Sequence, residues 1–128
     1  MKIARLVATL MYYDGVQVFE GEDDSGGRCL GAMIDSEPDA DRYLVTGVPL
    51  EHLRDLRSGT RDLRAVLLEC SREGWYLARV GDNFAAPFIL ERQKGALLDH
   101  DYLPEDGILL AEDRIEDAAV EQPVSRAF

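Results

Sequence analysis

The side chains most able to do chemistry are four acids at alternate positions, Asp35, Glu37, Asp39 and Asp41. Several carboxylates in a short stretch suggest a hard cation such as calcium, which prefers oxygen ligands from a compact loop. The match to an EF-hand loop breaks in detail, because a loop starting at Asp35 would need glycine where Ala40 stands and glutamate where Thr46 stands. The bland alternative is a solvated acidic loop that discourages edge pairing, or a surface for a cationic partner. A second group, Glu91-Arg92-Gln93-Lys94 downstream of Asp82, faintly resembles a magnesium-dependent nuclease centre. It carries one residue too many between acid and lysine, and such clusters arise by chance in any charged chain.

The other reactive residue types do not assemble into a set. His52 and His100 have no serine or cysteine arrangement that suggests a nucleophile and its base, and His100 sits between Asp99 and Asp101 in an acidic stretch. Cys29 and Cys70 lie in unlike contexts, one in an expected strand and one at the end of an expected helix, and are read as a reduced, partly buried pair. Two cysteines and two histidines without ligand spacing make a poor metal site. The expectation is therefore no catalytic residue, no metal and no cofactor.

Charge carries more information. Of the acidic residues, eight lie between Glu20 and Asp41, nine between Asp99 and Glu121, and only eight elsewhere, within a formal net charge of −11. The stretch from Arg42 to Lys94 holds nine basic residues against seven acidic ones. An acidic, lopsided molecule argues against direct binding to nucleic acid or an anionic membrane and favours a basic protein partner. Two acidic groups are the expected partner-binding residues: Asp35, Glu37, Asp39 and Asp41, and, from the C-terminal segment, Glu112, Asp113, Glu116 and Asp117. That C-terminal segment, with Glu121 and the sparse apolar anchors Ile115, Val120, Val124 and Phe128, has a composition suited to folding on a partner or to keeping the chain in solution. A basic stripe is the counter-feature. Arg54, Arg57, Arg61 and Arg64 would share a face in one continuous helix, but the Ser58-Gly59-Thr60 break divides it, and Glu51, Asp55 and Asp62 stand near enough to neutralise it.

The elements that must carry these residues read as one domain of 128 residues with 46 % hydrophobic content. Ile3 to Tyr13 mixes alternation with apolar runs, as a strand covered on both faces would. Asp14-Gly15 predicts a tight hairpin turn into Val16 to Glu20. Strands are expected over Arg28 to Asp35 and Arg42 to Val48, joined by an acidic loop over Ser36 to Asp41. Leu50, Leu53 and Leu56 recur at helical spacing after Pro49, and Ser58-Gly59 is a plausible stop. A second helix is expected with Thr60 as its N-cap and Leu63, Val66, Leu67 and Cys70 as its apolar stripe. Gly74 to Val80 and Pro87 to Arg92 predict two more strands, with Trp75 a core or hairpin-anchoring residue, and Ile108 to Leu110 a short last one at a sheet edge. From Glu112 onward the chain is expected to be a frayed acidic tail, with the folded domain over 1–111. No run of about 18 apolar residues occurs, and the first residues lack a secretory cleavage site, so a cytoplasmic location is the default.

The combination Tyr12-Tyr13-Asp14-Gly15, Val18-Phe19-Glu20 before a glycine-rich turn, Arg42-Tyr43-Leu44-Val45, the leucine-spaced helix ending at Arg57-Ser58-Gly59, and Trp75-Tyr76-Leu77 resembles a group of small uncharacterised bacterial domains. Their shared order is hairpin, acidic turn, strand, helix pair, strand. The resemblance spans roughly residues 5 to 111. It implies a fold and a bacterial origin, and carries over no functional residue.

The fold expected is α+β: an antiparallel meander sheet of four to six strands with a short helix pair on one face. The function expected is a non-catalytic acidic module, an accessory subunit, antitoxin or immunity-type inhibitor, that docks on a basic protein. A nucleic-acid mimic occupying a DNA-binding protein is the alternative, and a small enzyme built around His52 or the Glu91 to Lys94 cluster the third reading. Self-association into a homo-oligomer is a further partner class.

Overall fold

The structure, a computed structural model, describes residues 2–81, 84–93, 102–111 and 114–117. Its element order is β1 (Lys2–Tyr12), β2 (Val16–Asp23), β3 (Arg28–Glu37), β4 (Ala40–Gly47), α1 (Leu50–Arg57), α2 (Leu63–Ser71), β5 (Tyr76–Val80), β6 (Phe88–Arg92) and the two-residue β7 (Glu116–Asp117). The protein is mostly sheet with two helices, in keeping with an α+β class. The meander does not stay open, however. Each strand from β1 to β6 pairs antiparallel with the next, and β6 returns to pair with β1 through Lys2↔Leu90, Ile3↔Ile89 and Ala4↔Phe88. The expected open sheet is thus a closed six-stranded barrel, a solution that removes the exposed edges a meander would leave.

Closure needs β1 to serve two cores, and a bulge makes that possible. Ala4, Leu6, Ala8 and Leu10 share one parity and would face one side of a regular strand. Ladder register slips between Leu6 and Ala8, and again near Met11. Ala4 and Leu6 therefore pack with the interior set, whereas Ala8 and Leu10 pack with the set beneath the helices. An inserted residue re-aims everything beyond it. This explains why Leu6-Val7-Ala8 reads as an apolar run rather than an alternation.

Inside the barrel, Phe19 of β2 meets Tyr43 of β4, Phe88 of β6 and Phe84 edge to face, with ring centroids 5.0–5.4 Å apart. Phe19 and Phe88 come within reach because β2 and β6 flank β1 in the closed barrel. Tyr43 donates its hydroxyl to the Val16 carbonyl at 2.7 Å, and burial pushes its phenol pKa up. Gly31 makes room for this cluster: a Cβ there would lie 2.2 Å from the Phe19 ring. Outside, α1 and α2 cover one wall, where Leu53, Leu56, Leu63, Val66 and Leu67 pack on Val18, Leu30, Ala32 and Leu44. Helices this short are held by that burial rather than by propensity.

Local chemistry differs from expectation at four places. The first hairpin is closed by Tyr12↔Val16 over a three-residue loop, with positive φ at Asp14 and Gly15, instead of a two-residue turn. Thr60 does not cap α2. Its hydroxyl, with that of Ser58, donates to the Asp55 carbonyl at the end of α1, while Asp62 caps α2 by accepting from the Ala65 amide. Ile108 to Leu110 is not a strand; the Ile108 carbonyl accepts the Leu63 amide, and Leu110 is buried against the helices. Within the segment expected to fray, Glu116 and Asp117 pair with Thr9 and Ala8 of β1.

Gly31→Ala is expected to destabilise the protein by about 1–3 kcal/mol through overpacking against Phe19, read as a lower urea midpoint with an unchanged slope.

Candidate docking surface

The residues expected to form an acidic loop form a tight hairpin instead. Glu37↔Ala40 is the last pair of the β3–β4 ladder, so only Pro38 and Asp39 make the turn. Proline presets the φ that such a turn needs, and aspartate tolerates its backbone, which is why this short polar stretch can reverse the chain. The ladder then sets Asp35 opposite Arg42 and Ser36 opposite Asp41.

The four carboxylates meet two guanidiniums. Arg42 grips Asp35 with two hydrogen bonds of 2.7 and 2.8 Å and lies 3.9 Å from Glu37. Arg79 of β5 reaches Glu37 at 2.7 Å and Asp39 at 3.5 Å. Asp41 accepts from the Ser36 hydroxyl. The hydrogen bonds from Arg42 hold the Asp35 carboxyl below the usual range, and those from Asp35 and Glu37 raise the pKa of Arg42 and Arg79 respectively. Four acids against two arginines leave a surplus of two negative charges at the hairpin. Asp39, 84 % exposed, is the group least covered.

Beside this hairpin the barrel wall is incompletely zipped. β5 and β6 pair only at Tyr76↔Arg92 and Leu77↔Glu91, supplemented by the Gln93 amide donating to the Trp75 carbonyl. Ala78 to Val80 are paired to β4 on one edge, and Phe88 to Leu90 to β1 on one edge. Their other edges face each other across a groove of about 840 Å³, lined by Leu77, Val80, Pro87, Phe88 and Ile89, with Arg42 and Arg79 on its hairpin side. Ile89 is half exposed, as is its cross-strand neighbour Ile3 to a lesser degree.

The remaining candidates are dispersed. Glu116 and Asp117 sit on β1, where Asp117 accepts from Arg57 at 3.2 Å. Glu112 and Asp113 lie outside the described residues, as do Asp82, Lys94, His100 and the apolar anchors Val120, Val124 and Phe128. The arginine stripe is divided among different partners. Arg57 donates to the buried Glu20 at 3.0 Å, Arg61 to Glu69 at 2.9 Å, and Arg64 to the Pro104 carbonyl at 2.9 Å. Arg54 is exposed on α1. His52 bridges the helices through Glu69 at 3.0 Å, and hydrogen bonds from Arg61 and His52 hold the Glu69 carboxyl below its ordinary pKa. Among the described residues no group of three or more His, Cys, Asp or Glu gathers as metal ligands, and no helix is long and apolar enough to cross a membrane.

Sequence reading missed two features. Glu20, nearly fully buried, joins β2 to α1 through Arg57 and lies 3.6 Å from Arg28. Its only signal was a lone acid ending an apolar run. The second feature is the far mouth of the barrel, where Cys29 and Cys70, distant in sequence, line one cavity of about 360 Å³ with Lys2, Asp23, Tyr76 and Arg92. Burial pushes the Cys29 thiol up to about 12 and raises Cys70 as well, so both stay protonated and poorly nucleophilic.

No family model, no curated protein and no solved structure matches this chain.

Two outcomes follow from these ion pairs. Arg57→Ala strips the main partner from a buried carboxylate and is expected to cost about 1–3 kcal/mol, measured by urea unfolding. At the mouth, desolvation acts to raise the Asp23 pKa, but hydrogen bonds from Ser25, Gly27 and Lys2 outweigh it and hold the carboxyl at about 2. An unfolded aspartate titrates near ~3.9. Asp23 therefore adds stability above about pH 4 that is lost as pH falls toward about 2. Asp23→Asn is expected to flatten that limb of a plot of urea midpoint against pH.

Proposed function

We propose that this chain is a non-catalytic acidic module, of the accessory-subunit, antitoxin or immunity type, that docks on a basic partner protein through the β3–β4 hairpin. The observation carrying this reading is the hairpin's charge surplus on a strand-paired support. Two paired strands carry Asp35, Glu37 and Asp41, with Asp39 in the two-residue turn between them, so little backbone order must be gained on binding. Arg42 and Arg79 neutralise half of the set's charge and orient it, and the surplus, most exposed at Asp39, is left to attract a cationic surface.

The experiment is capture of partners from the native host, followed by affinity measurement on the purified pair. Charge reversal at Asp39 and Asp41 is expected to weaken binding at least about tenfold at low salt, with a shallower dependence on ionic strength. Reversal at Asp35, whose charge Arg42 already offsets, is expected to do less. Unchanged affinity in the doubly reversed protein rejects the hairpin as the docking element. Competition by duplex DNA for the same partner would move the assignment to a nucleic-acid mimic.

A further inference from the structure

The half-zipped seam between β5 and β6 goes beyond a charged surface, because it offers backbone as well as side chains. Unpaired strand edges are templates for another strand, and proteins normally cover or close them. Every strand from β1 to β6 pairs with both of its barrel neighbours over at least part of its length. At the seam, the ladder stops after Leu77↔Glu91, and the edges of residues 78–80 and 88–90 are left facing one another. We propose that the seam is a strand-accepting groove in which the basic partner lays an extended segment, apolar in its centre and bearing lysine or arginine at the end nearest the hairpin.

Three observations carry this. First, the edges supply backbone donors and acceptors in strand geometry, the chemistry of β-strand addition. Second, the inward side of the groove is apolar and its outward side is mixed. Val80 and Phe88 belong to the interior cluster, while Leu77 and the half-exposed Ile89 share the outward parity with Arg79 and Glu91. A strand placed there alternates its side chains between these two surfaces, so it is apolar on the inward face and tolerates small polar residues on the other. Third, charge is unequal along the groove. Val80 pairs with Asp41, and Gly81 lies close to the Asp39 carbonyl, so the hairpin's surplus carboxylates stand at that end. At the other end Glu91 and Arg92 balance one another. Complementarity therefore places the partner's cations beside the hairpin.

The inference rests on the docking function proposed above and deepens it by naming the binding mode. The test is amide hydrogen exchange on the full chain with a synthetic peptide, Lys-Lys-Val-Thr-Val-Ile-Val, compared with the same peptide carrying glutamates in place of its lysines. Expected is added protection at the seam-facing amides of residues 78–80 and 88–90 with the lysine peptide, and at least about tenfold weaker binding of the glutamate peptide. Ile89→Lys changes a half-exposed position, so it is expected to keep the fold and weaken the lysine peptide by a similar factor. No added protection at millimolar peptide overturns the seam. If reversal at Asp39 and Asp41 nevertheless abolishes partner capture, the hairpin reading survives that failure. Equal binding of both peptides overturns the charge assignment and the basic-partner reading with it. Protection already complete in the free chain assigns the groove to an internal occupant, and protection that grows with protein concentration assigns it to a second copy. Either result overturns the proposal.

Discussion

Strand β1 is paired on both of its edges, along most of its length to β2 and through Lys2, Ile3 and Ala4 to β6, and the rest of the molecule depends on that constraint. Its contacts with β2 on one side and β6 on the other turn a sequential meander into a barrel. Satisfying both neighbours while feeding two hydrophobic cores requires the strand to change face part-way, which the slip after Leu6 accomplishes. The aromatic cluster around Phe19 exists only because the sheet closes. The outward set of Ala8, Leu10, Val18, Leu30 and Leu44 is in turn what gives two short helices a surface to bury against. Gly31 and Glu20 are the points where this arrangement is least tolerant: one leaves space for a ring, and the other is a buried acid answered by Arg57.

Much of the negative charge is spent inside the molecule. Glu20, Glu22, Asp23, Asp35, Glu37, Glu69 and Asp117 all hold arginine, lysine or histidine partners. Exposed pairs of this sort contribute little stability each. Their larger effect is to decide where the field is not cancelled. The β3–β4 hairpin keeps an excess, and it does so next to a stretch of described barrel wall whose ladder stops early. Charge and open backbone thus fall on neighbouring surfaces, although they arise from residues some forty positions apart.

Local pattern was enough to locate every strand from β1 to β6 and both helices to within a few residues. Strand and helix periods show directly in which residues are apolar. The β3–β4 turn reads as a loop because its polar residues hide the alternation that pairing imposes: Asp35, Glu37 and Asp41 are strand residues with charged side chains. Likewise Ile108 to Leu110 has strand composition, yet its carbonyl at Ile108 serves the start of α2. A three-residue apolar run cannot say whether its backbone will find a ladder or a helix end.

What the amino-acid order determined by itself was the list of elements, their periodicity and the uneven distribution of acids, because each of these depends on neighbours a few residues away. Closure of the barrel, the face switch in β1, the pairing of Arg79 with Glu37 and Asp39, and the shared cavity of Cys29 and Cys70 were decided by tertiary structure. Each depends on which distant strands lie side by side. That choice is made by the whole sheet minimising exposed backbone and apolar surface together, and no local window contains it.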